Sequence, residues 1–351
     1  MPRGLLILMG LAAAVVVVAG MKGAAGILGI TYLTLILTIA LHPLQTLLAR
    51  RLPGWLATIV CLLAVYLTIV GLAMLLVSSA AQFAGLLPQY EAEFDRLIAG
   101  LTARLATFGI GETQLQALTS TLDLSKLSEL LTTALSGVLG VVSNLIFIIT
   151  LLLFMTIDGA NFPRQLGAAG RVRPTMVKAV QDFARTTRRY LRVSTVFGAI
   201  VAVLDTIVLI ALDIPTPILW GLLAFLTNYI PNIGFVIGLV PPAILGLLSG
   251  GPGLMLAVIA IYCVLNVIIQ SVIQPKVVGD AVGLSPTLTF LSLIFWAWVL
   301  GPIGAVLAVP LTLLTRAILI DADPTSQWLK PLVANTGSGS AGRSEGDSPA
   351  R

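Results

Sequence analysis

The sequence predicts an all-α polytopic membrane protein with about eight transmembrane helices, including two Pro/Gly-broken helical hairpins in inverted orientation. Three observations predict it. The chain of 351 residues is 58% hydrophobic and only 10% charged, whereas a soluble domain carries about 25% charged residues. So few polar side chains cannot cover a surface facing water, which excludes an ordinary soluble enzyme. The apolar residues are gathered into charge-free runs at 4–21, 23–49, 52–90, 130–157, 214–275 and 281–315, and one crossing uses only about 20 of them. The runs of 62 and 35 residues at 214–275 and 281–315 must therefore fold back or break inside the bilayer. The third observation is a Pro-Gly cluster within each of these two runs.

Residues 1–80 hold helices one to three. Arg3 ahead of an apolar core has the outline of a signal peptide, but the many spans that follow make 4–21 a first transmembrane helix. From a cytoplasmic N-terminus the chain turns outside at Lys22, returns to Arg50 and Arg51, and crosses again over about 55–80. Residues 81–134 form an extracytoplasmic amphipathic helical segment. There Arg96, Arg104 and Lys126 face six acidic residues, and Phe94, Leu97, Leu101 and Leu105 recur at spacings of three and four. Such a helix lies on, or stands off, the outer surface.

Helix four, 135–157, ends at Asp158-Gly159 and leads into a basic cytoplasmic linker helix at 158–192. Eight of the 20 basic residues fall there: Arg164, Arg171, Arg173, Lys178, Arg185, Arg188, Arg189 and Arg192. Met176, Val180, Phe183, Thr187 and Tyr190 share its apolar face, and its arginines are candidates for an acidic partner. Positive charge concentrates in short cytoplasmic loops, so the net charge of +5 and pI near 9.5 read as topology. No aromatic side chains interleave with the arginines as a single-strand platform requires, and no nucleic-acid partner is expected. Residues 193–320 form a core opening with a fifth span, 193–212. Residues 321–351 form a cytoplasmic tail whose Gly/Ser-rich end, from 334, reads as disordered.

Cys61 and Cys263 lie in apolar spans and read as unpaired thiols. His42 is the only histidine, so neither a His-based metal site nor a Ser-His-Asp triad has material. No metal, cofactor or catalytic residue is assigned.

The broken segments carry the functional reading. Pro231-Asn232-Ile233-Gly234, with Pro241 beyond it, is echoed by Pro302-Ile303-Gly304, with Pro310 beyond it; each follows an apolar helix that opens at Pro217 or Pro286. Proline removes a backbone donor and glycine relaxes the chain, and unwound backbone survives in hydrocarbon only where protein or a water-filled cavity satisfies it. One conventional span, 254–273, separates the two, which gives them opposite orientations. Interrupted segments in inverted orientation point to a transport site at the repeat interface; kinked structural spans are the alternative. Along the intervening span Tyr262, Asn266, Gln270 and Gln274 recur every four residues, a polar stripe on one face. It serves either as glue between helices or as the wall of a pathway. Asp205 lies about 18 Å along its helix from Val193. An intramembrane carboxyl is a candidate ion ligand or proton carrier, or else a neutral acid hydrogen-bonded within the bundle.

At these residues the sequence resembles the autoinducer-2 exporter family of bacterial membrane proteins. The matching stretches are Asn228-Tyr229-Ile230-Pro231-Asn232-Ile233-Gly234, Gln274-Pro275-Lys276-Val277-Val278-Gly279, Val282-Gly283-Leu284-Ser285-Pro286 and Gly304-Ala305-Val306-Leu307-Ala308-Val309-Pro310-Leu311, with Asp158-Gly159 after the fourth span. The resemblance covers nearly the whole chain in layout, and its motifs concentrate between 198 and 315. It implies a multi-pass protein of the bacterial inner membrane with cytoplasmic termini, a homo-oligomer that exports a small polar signalling molecule. Members are also linked to sodium or lithium efflux in exchange for protons. Asp205 falls in none of the matched motifs. No Gly-x-x-x-x-Gly-Lys-Ser/Thr signature occurs, so transport would be gradient-driven.

The substrate pathway is thus expected at Asn228, Tyr229, Pro231, Asn232, Gly234, Asn266, Gln270, Gln274, Pro302 and Gly304. Its expected partners are the lipid bilayer and a small polar solute or monovalent cation. The leading expectation is a secondary exporter; the alternatives are a cation/proton antiporter using Asp205 and a membrane scaffold that transports nothing.

Overall fold

The computed structural model describes residues 2–107, 132, 136, 139–140, 142–231, 233–274 and 283–323. Among these every regular element is helical. Helices α1 (Arg3–Gly23) and α2 (Ala25–Leu48) lead to α3 (Gly54–Thr107); α4 (Leu145–Gly170) and α5 (Pro174–Ala211) follow. The remainder is α6 (Pro217–Thr227), α7 (Gly234–Asn266) with a π-helical extension Val267–Ile273, then α8 (Pro286–Leu300), α9 (Pro302–Val306) and α10 (Ala308–Arg316), which ends in a second π-helical turn, Ala317–Asp321.

Local chemistry sets the starts. α5, α6, α8 and α9 each open with proline in the first turn, where a missing N–H costs nothing and the fixed φ suits the helix. At α8 the Ser285 hydroxyl also caps, accepting from the Leu288 N–H at 3.3 Å.

Four helical stretches are long and apolar enough to cross a membrane: Ala25–Leu48, Gly54–Tyr90, Pro174–Ala211 and Gly234–Gln270. The bent pair Leu145–Gly159 and Phe162–Gly170 makes five if it is one span. Leu8–Gly23, Pro217–Thr227 and Pro286–Leu300 are shorter apolar helices. Large apolar side chains cover the outside, among them Val16 at 71%, Leu67 at 60% and Ile146 at 83% exposed. A surface this apolar is untenable in water and matches lipid.

The helix that carries the third span continues past Ala80 as α3 to Thr107, about 80 Å in all. Pro88 is carried within it, so 81–107 extends the span as a helix although the proline leaves one ladder bond unmade, whereas the rest of the polar segment, with Glu112, Asp123 and Lys126, lies outside the described residues. The basic linker and the fifth span are likewise a single helix, α5. At Asp158-Gly159, where the fourth span is expected to end, α4 bends by 53° between Gly159 and Phe162 and continues to Gly170. The tail from 324 onward also falls outside the described residues.

The long run 214–275 breaks twice. The first break is the expected one, at 228–233. The second is at Gly251, whose φ of 76° and ψ of −170° belong to a region essentially reserved for glycine. There α7 doubles back on itself, so that a Cβ on Gly246 would lie 3.3 Å from Met255 Cα. Gly301, between α8 and α9, has nearly the same backbone angles, φ 69° and ψ −151°, and like Gly251 it precedes a proline. Pro241 and Pro242, by contrast, are carried within α7. The span after Gly251 is helical as expected but widens into the π-helical stretch from Val267.

Three apolar clusters hold the bundle together. One joins Trp296, Leu300, Leu307 and Val309 to Ile36 of α2 and to Phe183 and Tyr190 of α5. A second joins Phe83 of α3 to Trp220, Leu245 and Val258, with the Phe83 and Trp220 rings edge to face at 5.1 Å. The third, smaller, is Val193, Phe197, Val201 and Ile269.

Candidate functional site: a polar cavity between three helices

The buried face of α5 runs through Phe183, Thr187, Tyr190, Ser194, Gly198, Val201, Asp205 and Leu209, residues three or four apart that fall in line on a helix. Four of them are polar, and α6 lies directly on that face. Glycines permit the approach: a Cβ on Gly221 of α6 would overlap the Thr206 hydroxyl and stand 3.0 Å from Ala202 O, and one on Gly198 would stand 2.8 Å from the Asn228 amide nitrogen. The second half of α7 packs across the same place. Between the three helices lies a cavity of about 10 Å3 lined by Asp205, Thr227, Asn228, Tyr262, Asn266 and Gln270, a volume that just admits one water.

A chain of amides forms one wall. The Gln270 amide nitrogen donates to Asn266 Oδ1 at 2.8 Å and to Asn228 Oδ1 at 3.1 Å. The Asn228 amide nitrogen donates to Ser194 O at 2.9 Å, and that of Asn266 to Tyr262 O at 3.0 Å. Two other lining groups are less satisfied. Asp205, 1% exposed, and Tyr262, also 1% exposed, each present a buried oxygen without a hydrogen-bond partner, Oδ1 and Oη respectively. Burying such groups unpaired costs on the order of a few kcal/mol each, a cost that packing alone does not explain. The cavity therefore offers a carboxyl, hydroxyls and amides to a small polar or cationic guest. Among the described residues no three His, Cys, Asp or Glu side chains cluster as metal ligands do.

The structure divides the expected pathway residues. Asn228, Asn266, Gln270 and Asp205 meet in the cavity. Tyr229 sits just beyond it, its carbonyl accepting from Tyr190 Oη at 2.8 Å and its hydroxyl 2.7 Å from Thr195 Oγ1. Pro231 is in the turn after α6, outside the lining, and Asn232 lies outside the described residues. Gly234 and Gly304 are buried contacts between consecutive helices: a Cβ on either would overlap a carbonyl oxygen, of Thr227 or of Trp296. Pro302 and Gly304 belong to the packing of α8 and α9, with neighbouring Ile303 against Gly29 of α2, and neither reaches the cavity. Gln274, half-buried at the end of the polar stripe, does not line it either. Ser194, Thr195, Tyr190 and Thr227 were not foreseen as site residues. The polar positions interrupting the apolar face of α5 were the signal for Tyr190 and Ser194.

Among the described residues, a helical bundle with an apolar exterior and a buried polar cavity between its helices defines a polytopic helical membrane protein. The AI-2E family transporter model matches residues 5–322, and the chain belongs to that family. It is 31% identical over 324 residues to the AI-2 transport protein TqsA of Escherichia coli (strain K12), covering 90% of this chain and 92% of that protein. It is 30% identical over 327 residues to a Haemophilus influenzae protein named "Putative transport protein", covering 92% and 94%. YueF of Bacillus subtilis (strain 168) is 26% identical over 310 residues, covering 82% and 81%.

Proposed function

We propose that this protein is a gradient-driven secondary transporter of the bacterial inner membrane that exports a small polar solute, with the Asp205–Asn228–Gln270 cavity on its path. The observation that carries the reading is the convergence of Asp205, Asn228, Tyr262, Asn266 and Gln270 at one buried point between three helices. Few intramembrane polar groups are buried without function. The name of the Escherichia coli relative makes an autoinducer-2-like molecule the first solute to test. In this reading the chain crosses the membrane about eight times, with cytoplasmic termini. The breaks at 228–233 and at Gly301 are the tips of two hairpins in inverted orientation, and the chain assembles as a homo-oligomer.

Efflux of labelled solutes from vesicles should fall at least about tenfold, the loss of one good polar contact, when Gln270→Leu or Asn228→Leu is introduced. Undiminished efflux in both variants removes the cavity from the path.

Asp205 favours a second reading, a monovalent-cation/proton antiporter. A buried carboxylate needs a compensating charge, and exchanging a proton for sodium or lithium at Asp205 would supply it in turn. Asp205→Asn should abolish sodium-driven proton movement in liposomes while leaving solute efflux measurable. Full cation exchange by that variant sinks this reading.

A further inference from the structure

The cavity is too small for anything larger than one water, so a guest enters only if a wall moves. Most of its walls resist movement. α5 and α6 are locked together where Gly221 meets Ala202 and Thr206, and Leu209, Trp220, Val258 and Tyr262 belong to a single apolar core cluster. Separating those would expose apolar core. The wall toward the basic end of α5 is different, because hydrogen bonds from α5 hold it.

Asn228 lines the cavity there, and Tyr229 lies just behind it. Asn228 reaches Ser194 O at 2.9 Å, and Tyr229 accepts from Tyr190 at 2.8 Å and pairs with Thr195 at 2.7 Å. All three anchors on α5 fall within about a turn and a half. On the inner side Asn228 Oδ1 accepts from Gln270, whose own backbone lies in the π-helical stretch, a geometry that recurs at functional sites in helices. Water can replace the hydrogen bonds of Asn228 and Tyr229 while Tyr190 keeps its place in the apolar cluster around Trp296.

We propose that Asn228 and Tyr229 are a latch that closes the Asp205 cavity toward the basic end of α5, and that their release from Tyr190, Ser194 and Thr195 opens it on that side. The inference rests on the reading of the cavity as a transport path, but its test requires no substrate. In a Cys61→Ser, Cys263→Ser background, Val201→Cys or Ala224→Cys puts a thiol in the cavity wall. Its modification by a small cationic, membrane-impermeant methanethiosulfonate is timed on vesicles of each orientation. With the latch intact, labelling is slow from both faces. Asn228→Ala and Tyr190→Phe should each accelerate it about tenfold from the face bearing the basic residues of 164–192, the order expected when one hydrogen bond is lost from a closed–open equilibrium. Gly198→Ala removes no polar group but presses on Asn228, and it should act in the same direction. Unchanged labelling in all three variants, or equal acceleration from both faces, overturns the latch. Faster labelling in vesicles that move no tested solute or cation upholds the latch and removes the transport reading. Lost flux with unchanged labelling does the reverse.

Discussion

Replacing Gly304 by alanine puts one methyl group where the α8–α9 turn has no room for it. The added Cβ would overlap the Trp296 carbonyl oxygen, stand 2.7 Å from its carbonyl carbon and 2.8 Å from Leu300 Cβ. Ordinary contact begins at 3.4 Å, so more than roughly 0.7 Å of extra separation, the shortfall at the carbonyl carbon alone, has to open between backbone segments. A flexible side chain could swing aside; a carbonyl inside a helix cannot. Overpacking costs about 1–3 kcal/mol, and a backbone obstacle places this substitution near 3 kcal/mol, roughly a hundredfold in the folded-to-unfolded ratio. Gly234→Ala should behave alike, because its Cβ would overlap Thr227 O and lie 2.7 Å from Thr227 C. Gly29→Ala is the matched control, since its new methyl would meet Ile303 at 3.7 Å or beyond, ordinary van der Waals distance. Reversible unfolding in mixed detergent–denaturant micelles measures all three. If Gly304→Ala and Gly29→Ala fall within about 0.5 kcal/mol of each other, the packing argument for both broken segments is refuted.

Tyr262→Phe removes a hydroxyl that has no hydrogen-bond partner; the folded protein should hold its stability or gain up to about 1 kcal/mol, read in the same unfolding assay, while efflux falls if the hydroxyl serves a guest. Gly251→Ala forces a side chain into the φ 76°, ψ −170° conformation and should destabilise by about 1–3 kcal/mol; an equally stable variant would show that the doubled-back α7 does not need that geometry. Lys22→Ala should destabilise by no more than about 1 kcal/mol in the same unfolding assay, since its ammonium lies 4.1 Å over the Trp298 ring at an exposed site; a larger loss would show that Lys22 does more than stack on that ring.

Much of the fold was legible in the order of residues. The helical spans follow from where charge interrupts apolar runs, and Asp205 and the Asn266–Gln270 stripe stand out because hydrocarbon makes them costly. The stretch Gly250-Gly251-Pro252-Gly253 carries the signal of a further turn, since Gly251-Pro252 is the same dipeptide as Gly301-Pro302 and takes nearly the same backbone angles. α3 and α5 run on through the change between apolar and charged side chains, because such a change alters what a helix faces without ending it.

The grouping of the candidate residues could not be read in this way. Sequence spacing fixes neighbours within one helix, so it placed Tyr262, Asn266 and Gln270 on one line; the line of Ser194, Gly198 and Asp205 on α5 emerges from the buried face of that helix. Whether two such lines meet depends on how helices pack, and here that is decided by glycines that let α6 settle onto α5. Composition by itself determined that the chain is a helical membrane protein, since a water-facing surface cannot be built from so few charges. Only the tertiary structure decided that Asp205 shares a cavity with Asn228 and Gln270 while Pro302 and Gly304 belong to packing elsewhere. Residues 65 positions apart come together through close contact of helix backbones, and no local pattern in the chain encodes that distance.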